Sequence, residues 1–213
     1  MSALREKDVA LLTDLRRRLA TEPLPGATAQ QTMAPKFRGT YADPPPSARR
    51  ASVLALLYPV KGVLTILYIQ RTSPANDRHA GQISFPGGSV EAEDQDAQHT
   101  ALREAEEEVG VNASAVEILG GLSQLYIPVS NFLVDPFVGF TPERPDFVLQ
   151  ASEVARILEL PLRDFLVPDA RRVGERKLAG GMRLKDTPYW FVSEEEIWGA
   201  TAMMTGELVA LLR

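Results

Sequence analysis

Hydrophobic positions fall into distinct rhythms along the chain. Leu4, Leu11, Leu12, Leu15 and Leu19 lie close to one face of a 3.6-residue period, with Arg16, Arg17 and Arg18 largely off it, which predicts a helix closed by Pro23 and Pro25. Residues 22–50 have no rhythm and are rich in Pro, Gly, Thr and Ala, with Pro44-Pro45-Pro46 near the end; they read as an extended connector. Short apolar runs then follow. Ala51 to Tyr58 and Val63 to Ile69, separated by Pro59-Val60-Lys61-Gly62, predict a hairpin. Val116 to Leu119, Ser123 to Ile127 and Phe132 to Phe140 predict further strands. Ala151 to Leu158 has helical spacing, with Ser152 available as a cap. Gly180-Gly181 marks a second hairpin, and Tyr189 to Val192 another strand. Ser193 with Glu196 forms a capping box that opens a last helix, Glu194 to about Leu212, with Ile197, Ala200, Met204, Leu208 and Leu211 on one side. Strands in mixed order around helices predict an α/β fold layered α/β/α, and no internal repeat is present.

The most informative stretch is GSVEAEDQDAQHTALREAEEEVGV, Gly88 to Val111. Asp94 or Asp96 can cap a helix there, Ala97, Ala101 and Ala105 form a small-residue stripe suited to close packing on a sheet, and Gly110 stands where a left-handed residue ends a helix. Glu104, Glu107 and Glu108 are three and four apart and so share a face, while Glu106 points elsewhere. Like charges at that spacing weaken a helix by roughly 0.2–0.5 kcal/mol per pair. Such a cluster is either a solvated acidic face or a site for a hard divalent cation working with phosphate oxygens. Gly87 and Gly88, in a loop after Phe85-Pro86, would let backbone approach a ligand.

Composition narrows the chemistry. The 213 residues include no cysteine and two histidines, which excludes disulfides, thiolate catalysis and Cys- or His-rich metal sites. A net charge of −5 argues against general nucleic-acid or membrane-surface binding, and 45% hydrophobic residues suffice for a full core. No apolar run reaches the roughly 18 residues of a membrane span. The N-terminus does not read as a signal or transit peptide, so a cytoplasmic location is the expectation.

The glutamate stretch resembles the signature of the Nudix hydrolases. Arg103, Glu104, Ala105, Glu107, Glu108, Gly110 and Val111 match its second half. Fourteen residues separate Gly88 from Arg103, one more than the pattern, and Asp94 (with Glu93 beside it) stands in the slot for an upstream Glu. Upstream, Arg71, Arg78, Gly81, Gln82, Phe85, Pro86, Gly87 and Gly88 resemble the motif of the coenzyme A diphosphatase branch, as does Trp198-Gly199-Ala200-Thr201-Ala202 downstream. The resemblance spans about residues 50 to 213. The N-terminal helix and Pro-rich connector, 1–45, lie outside it, and it implies a Nudix domain, an α/β/α sandwich with a mixed sheet, over 46–213.

That resemblance implies Mg²⁺- or Mn²⁺-dependent hydrolysis of a small-molecule diphosphate, with coenzyme A giving 3′,5′-ADP and 4′-phosphopantetheine. Glu104, Glu107 and Glu108 are the expected metal ligands and, with Arg103, the expected catalytic group. Arg71, Arg78, Gly87 and Gly88 are expected on the substrate. Arg103 either holds the glutamates or touches substrate. Glu153 matches a habit of the family, an extra carboxylate outside the main motif, or else serves as the first turn of a helix. His79 reads as structural, and Trp198 and Met203-Met204 as core or pocket wall. The alternatives are the same chemistry on ADP-ribose or NADH, or a metal- or nucleotide-binding module without turnover. Monomer and homodimer both stay open.

Overall fold

The computed structural model describes residues 3–35, 43–72, 81–177 and 183–213; Arg78, His79 and Gly180-Gly181 lie outside them. The elements run α1 (Glu6–Thr21), α2 (Gly26–Gln31), β1 (Arg49–Val60), β2 (Val63–Arg71), β3 (Ile83–Ser84), β4 (Gly87–Ser89), α3 (Ala97–Val109), β5 (Glu117–Gly121), β6 (Leu125–Ile127), β7 (Phe132–Phe140), β8 (Val154–Pro161), β9 (Arg171–Lys177), β10 (Arg183–Val192), β11 (Glu195–Trp198) and α4 (Gly199–Leu211).

The main sheet has eight strands with the path β3-β2-β1-β7-β5; β4 joins β1, β6 joins β7 and β8 joins β2. It is mixed, because β1 and β7 run parallel while β1 and β2 are antiparallel. The second sheet, of three strands, has the order β11-β10-β9. Alternation along β1 divides the interior. Leu54, Leu56 and Tyr58 face α3, packing with Ala101, Ala105 and Val109. Ala51, Ala55 and Leu57 face the larger core, where Leu12 and Leu15 of α1, Met33, Trp190 of the second sheet and Met203, Met204 and Leu208 of α4 meet. Helix, sheet, then helices with the small sheet make up the α/β/α layering.

Three expectations need correction. The connector is not wholly extended, since Gly26–Gln31 forms a short helix. Ala151 to Leu158 is not a helix: residues 151–153 turn and β8 then pairs antiparallel with β2. Val154, Leu158 and Leu160 are buried there, and the period-2 fit of Leu158 and Leu160 against β2 outweighs the helical spacing of Val154, Ile157 and Leu158. Ser193 is not an N-cap. Ser193 and Glu194 have φ of 51° and 67° and form a tight turn between β10 and β11, with Val192 opposite Glu195. The last helix starts only at Gly199 and is buried nearly all round, so no single stripe marks its inner side. Among the described residues, no helix is long and apolar enough to cross a membrane.

Glu207 on α4 joins the N-terminal helices to this core. It is fully buried and accepts hydrogen bonds from Gly26 N (3.1 Å), Gln30 Nε2 (2.8 Å) and Ser123 N (3.1 Å). Substituting Glu207→Ala strands those donors, so urea unfolding should show a loss of about 3 kcal/mol, with a smaller loss for Glu207→Gln, which keeps an acceptor.

Candidate active site

α3 is fixed at both ends by local chemistry. Asp96, in extended conformation, accepts from His99 N at 2.7 Å. Gly110 closes the helix at φ 72°, and a Cβ there would also lie 3.0 Å from Val148 N. The segment past Thr141 then runs along the helix end, where Val148 N donates to Val109 O (3.0 Å) and Gln150 N to Glu108 O (2.9 Å). Ala101 and Ala105 bring the helix down onto the sheet, as the small-residue stripe predicts.

This close approach separates the glutamates. Glu108 is 2% exposed; its Oε2 accepts from Gly87 N at 2.8 Å and its Oε1 lies 3.7 Å from Arg71 Nη1. Burial pushes its carboxyl up to about 7. The Gly87 N–H and the Arg71 guanidinium pull the other way, and the charges of Glu104 and Glu153 add to the rise. Glu104 is partly buried and also raised, by burial first, with Arg103 opposing and Glu107 and Glu153 adding. Glu107 points outward, 58% exposed, and accepts from Arg103 Nη1 at 3.1 Å. Glu106 is exposed. The shared face expected for Glu104, Glu107 and Glu108 is thus graded from buried to exposed. Among the described residues no three His, Cys, Asp or Glu side chains are gathered into a ready-made cation site.

Arg103 is the brace of this arrangement. Its Nε and Nη2 grip both oxygens of Asp94 (2.9 and 3.0 Å), Nη2 reaches Glu104 Oε1 (3.3 Å) and Ser89 O (3.2 Å), and Nη1 reaches Glu107. Asp94 is nearly inaccessible and is held well below the usual carboxylate range, chiefly by Arg103 and also by the Glu91 N–H, Thr100 and His99. The substituted acidic slot therefore holds the arginine that holds the glutamates.

Gly87 and Gly88 belong to a strand, not a loop. β4 pairs with β1, placing Gly88 opposite Ser52. A Cβ on Gly88 would fall 2.3 Å from Glu104 Oε1, so the glycine makes room for that carboxylate against the sheet. Gly87, at φ 153°, turns its N–H to Glu108. The space the sequence assigned to a ligand is taken, at these atoms, by the glutamates.

Glu153 lies in the turn before β8, and its charge is felt at both Glu104 and Glu108. The turn is bonded to Glu108's own backbone carbonyl through Gln150 N, a contact between distant segments that no local pattern announces. Arg71, at the end of β2, stands beside Glu108. Trp198 caps β11 before α4, and Met203 and Met204 are core.

A family model, the NUDIX domain, matches residues 48–173. The chain belongs to the Nudix family. Its members hydrolyse diphosphates, so the reading as a binding module without turnover is set aside. This Nudix chain is 35% identical over 164 residues to the human mitochondrial coenzyme A diphosphatase, covering 76% of this chain and 69% of that protein. It is 39% identical over 142 residues to the Nudix hydrolase NudL of Yersinia enterocolitica, covering 67% of this chain and 71% of that protein. A crystal structure of a MutT/nudix family protein from Enterococcus faecalis aligns with a TM-score of 0.48 at 15% identity, over 94% of this chain and 71% of that one. The matched NUDIX range contains β1 to β8 and α3 with every site residue above, while α1, α2, β10, β11 and α4 lie outside it.

Glu108 gives a direct test of the buried charge. Its carboxyl titrates near 7 when folded, against an ordinary 4.5, so the folded state holds the proton longer. Stability is lost as pH rises from the ordinary value through about 7, by about 3 kcal/mol in all. Glu108→Gln keeps an acceptor for the Gly87 N–H and removes the charge. In EDTA at pH 8 the variant should melt higher than the parent, and at pH 4 the two should melt nearly together. Turnover should fall by orders of magnitude. A variant that melts no higher at pH 8 would show that the charge is not strained.

Proposed function

We propose that the chain is a divalent-metal-dependent coenzyme A diphosphatase that releases 3′,5′-ADP and 4′-phosphopantetheine. The observation that carries the substrate is the 35% identity over 164 residues to a relative named a coenzyme A diphosphatase. The observation that carries the chemistry is that the carboxylates of Glu104, Glu108 and Glu153 feel one another's charge. Each of these carboxylates raises, or is raised by, its neighbours, a cost that a dication among them would relieve.

The donor set suits Mg²⁺ or Mn²⁺: hard carboxylate oxygens, with no sulfur anywhere in the set. Glu104, Glu107 and Glu108 would hold the ion, with Glu153 as an added charge. When bound, the ion neutralises the diphosphate and acidifies a water. The chain's own part is positional. Arg103, clamped by Asp94, fixes the side chains of Glu104 and Glu107. Gly87 N–H fixes one oxygen of Glu108, leaving the oxygen nearer Arg71 toward the substrate side. Arg71 offers a guanidinium to a phosphate oxygen close to the carboxylates. One glutamate takes the proton of the attacking water, although placement and charge outweigh the base in this chemistry.

The test is a product assay. Coenzyme A, ADP-ribose and NADH are incubated separately with Mg²⁺, Mn²⁺ or EDTA and the products resolved by chromatography. Metal-dependent 3′,5′-ADP from coenzyme A, with little cleavage of the other two, is expected. Preferential cleavage of ADP-ribose or NADH would overturn the substrate and keep the chemistry.

A further inference from the structure

Glu153 is the one glutamate of the group that α3 does not itself carry; it lies in the turn before β8. Its side chain is exposed and long, so its reach toward Glu104 and Glu108 depends on where the backbone puts it. That backbone is held from both sides. On the α3 side, Gln150 N donates to Glu108 O (2.9 Å), and Gln150 O receives both Glu153 N (2.9 Å) and Val154 N (2.8 Å). On the other side stands Thr72, the residue after β2. Its N donates to Glu153 O at 2.8 Å and its Oγ1 to Ser152 O at 2.8 Å. The β2–β8 register shifts between Gln70 and Arg71, so after the bulge only the Arg71–Val154 pair remains before this turn. The two bonds from Thr72 hold the turn just beyond that last pair.

We propose that Thr72 is a positioning residue: its paired main-chain and side-chain hydrogen bonds to the Ser152–Glu153 turn set the place of the Glu153 carboxylate relative to Glu104 and Glu108. The proposal rests on the reading that these carboxylates act together on a divalent ion. A threonine suits the task because its Oγ1 and N point the same way along a strand end. Serine would serve nearly as well, and valine keeps the shape and the N–H while deleting the Oγ1 donor.

The experiment compares the parent, Thr72→Val, Thr72→Ser, Glu153→Gln and the Thr72→Val/Glu153→Gln double variant. Mn²⁺ affinity is measured by electron paramagnetic resonance without substrate, kcat and KM with coenzyme A, and melting temperature in EDTA. Thr72→Val should weaken Mn²⁺ binding and lower kcat by about threefold to tenfold with KM little changed, matching the loss of one hydrogen bond. Thr72→Ser should stay within about twofold of the parent. In the Glu153→Gln background Thr72→Val should add nothing further, because the carboxylate it positions is gone. An undiminished Thr72→Val effect in that background overturns the proposal, and so does a change confined to melting temperature. The Mn²⁺ titration needs no substrate. Coupling of Thr72 and Glu153 in a protein that leaves coenzyme A intact would therefore keep the positioning role and remove only the substrate.

Discussion

A carboxylate pressed between a helix and a strand governs this structure. Glu108 can lie there only because Ala101 and Ala105 let α3 down onto β1 and Gly87 offers a backbone N–H where a solvent molecule would otherwise stand. One hydrogen bond and a guanidinium 3.7 Å away do not restore what water gave the charge, and the carboxyl responds by holding its proton up to near neutrality. The surrounding devices keep that strained group from relaxing. Gly88 gives Glu104 a place beside it, Asp94 and Arg103 stop Glu104 and Glu107 from swinging away, and the irregular segment past Thr141 closes the helix end from which Glu108 projects. Stability given up at this point is supplied by the sandwich elsewhere.

The sandwich supplies it through two faces of one strand. β1 is buried along both sides, which a chain achieves only when it lies in the middle of a sheet with layers above and below. The α3 side is the smaller, with Ala101 and Ala105 of the helix meeting aliphatic residues and Tyr58 of the sheet. The other side is thick and forgiving, with two N-terminal helices, the small sheet and α4 meeting around large side chains. The carboxylates of α3 sit on the smaller side, where a shift of one helix moves several of them together.

What the sequence made legible follows from distance along the chain. Helix α3, its Asp96 cap and its Gly110 stop are written within a few residues of one another, as is the Lys61-Gly62 turn between β1 and β2. The Arg103–Glu104–Glu107–Glu108 group was visible for the same reason. Where the reading failed, a distant partner decided. Val154, Ile157 and Leu158 satisfy a helical spacing until β2 is placed alongside, and Ser193 with Glu196 satisfies a capping pattern until β10 and β11 pair across it. The buried Glu207 and the approach of Glu153 to α3 depend on contacts to residues far away in the chain, so residue types alone could not announce them. The grading of the glutamates was hidden as well, since helical spacing gives direction around an axis but not depth beneath a neighbouring strand.

The parallel pairing of β1 with β7 has a consequence for how the molecule comes together. Arg49 meets Phe132 and Leu57 meets Phe140, so the centre of the sheet closes only after a long loop of chain has been gathered in. Leu12, Leu15 and Met33, from the first helices, share a core with Met203, Met204 and Leu208 of α4, which follows every strand. During synthesis the early apolar residues wait through the whole length of the sheet before their final cover arrives, and the chain is most exposed to wrong association in that interval. The local hairpin of β1 and β2 and the self-capped α3 can form meanwhile. The helix that carries the glutamates can thus form locally, while the core that covers the other face of the sheet needs both the first helices and α4.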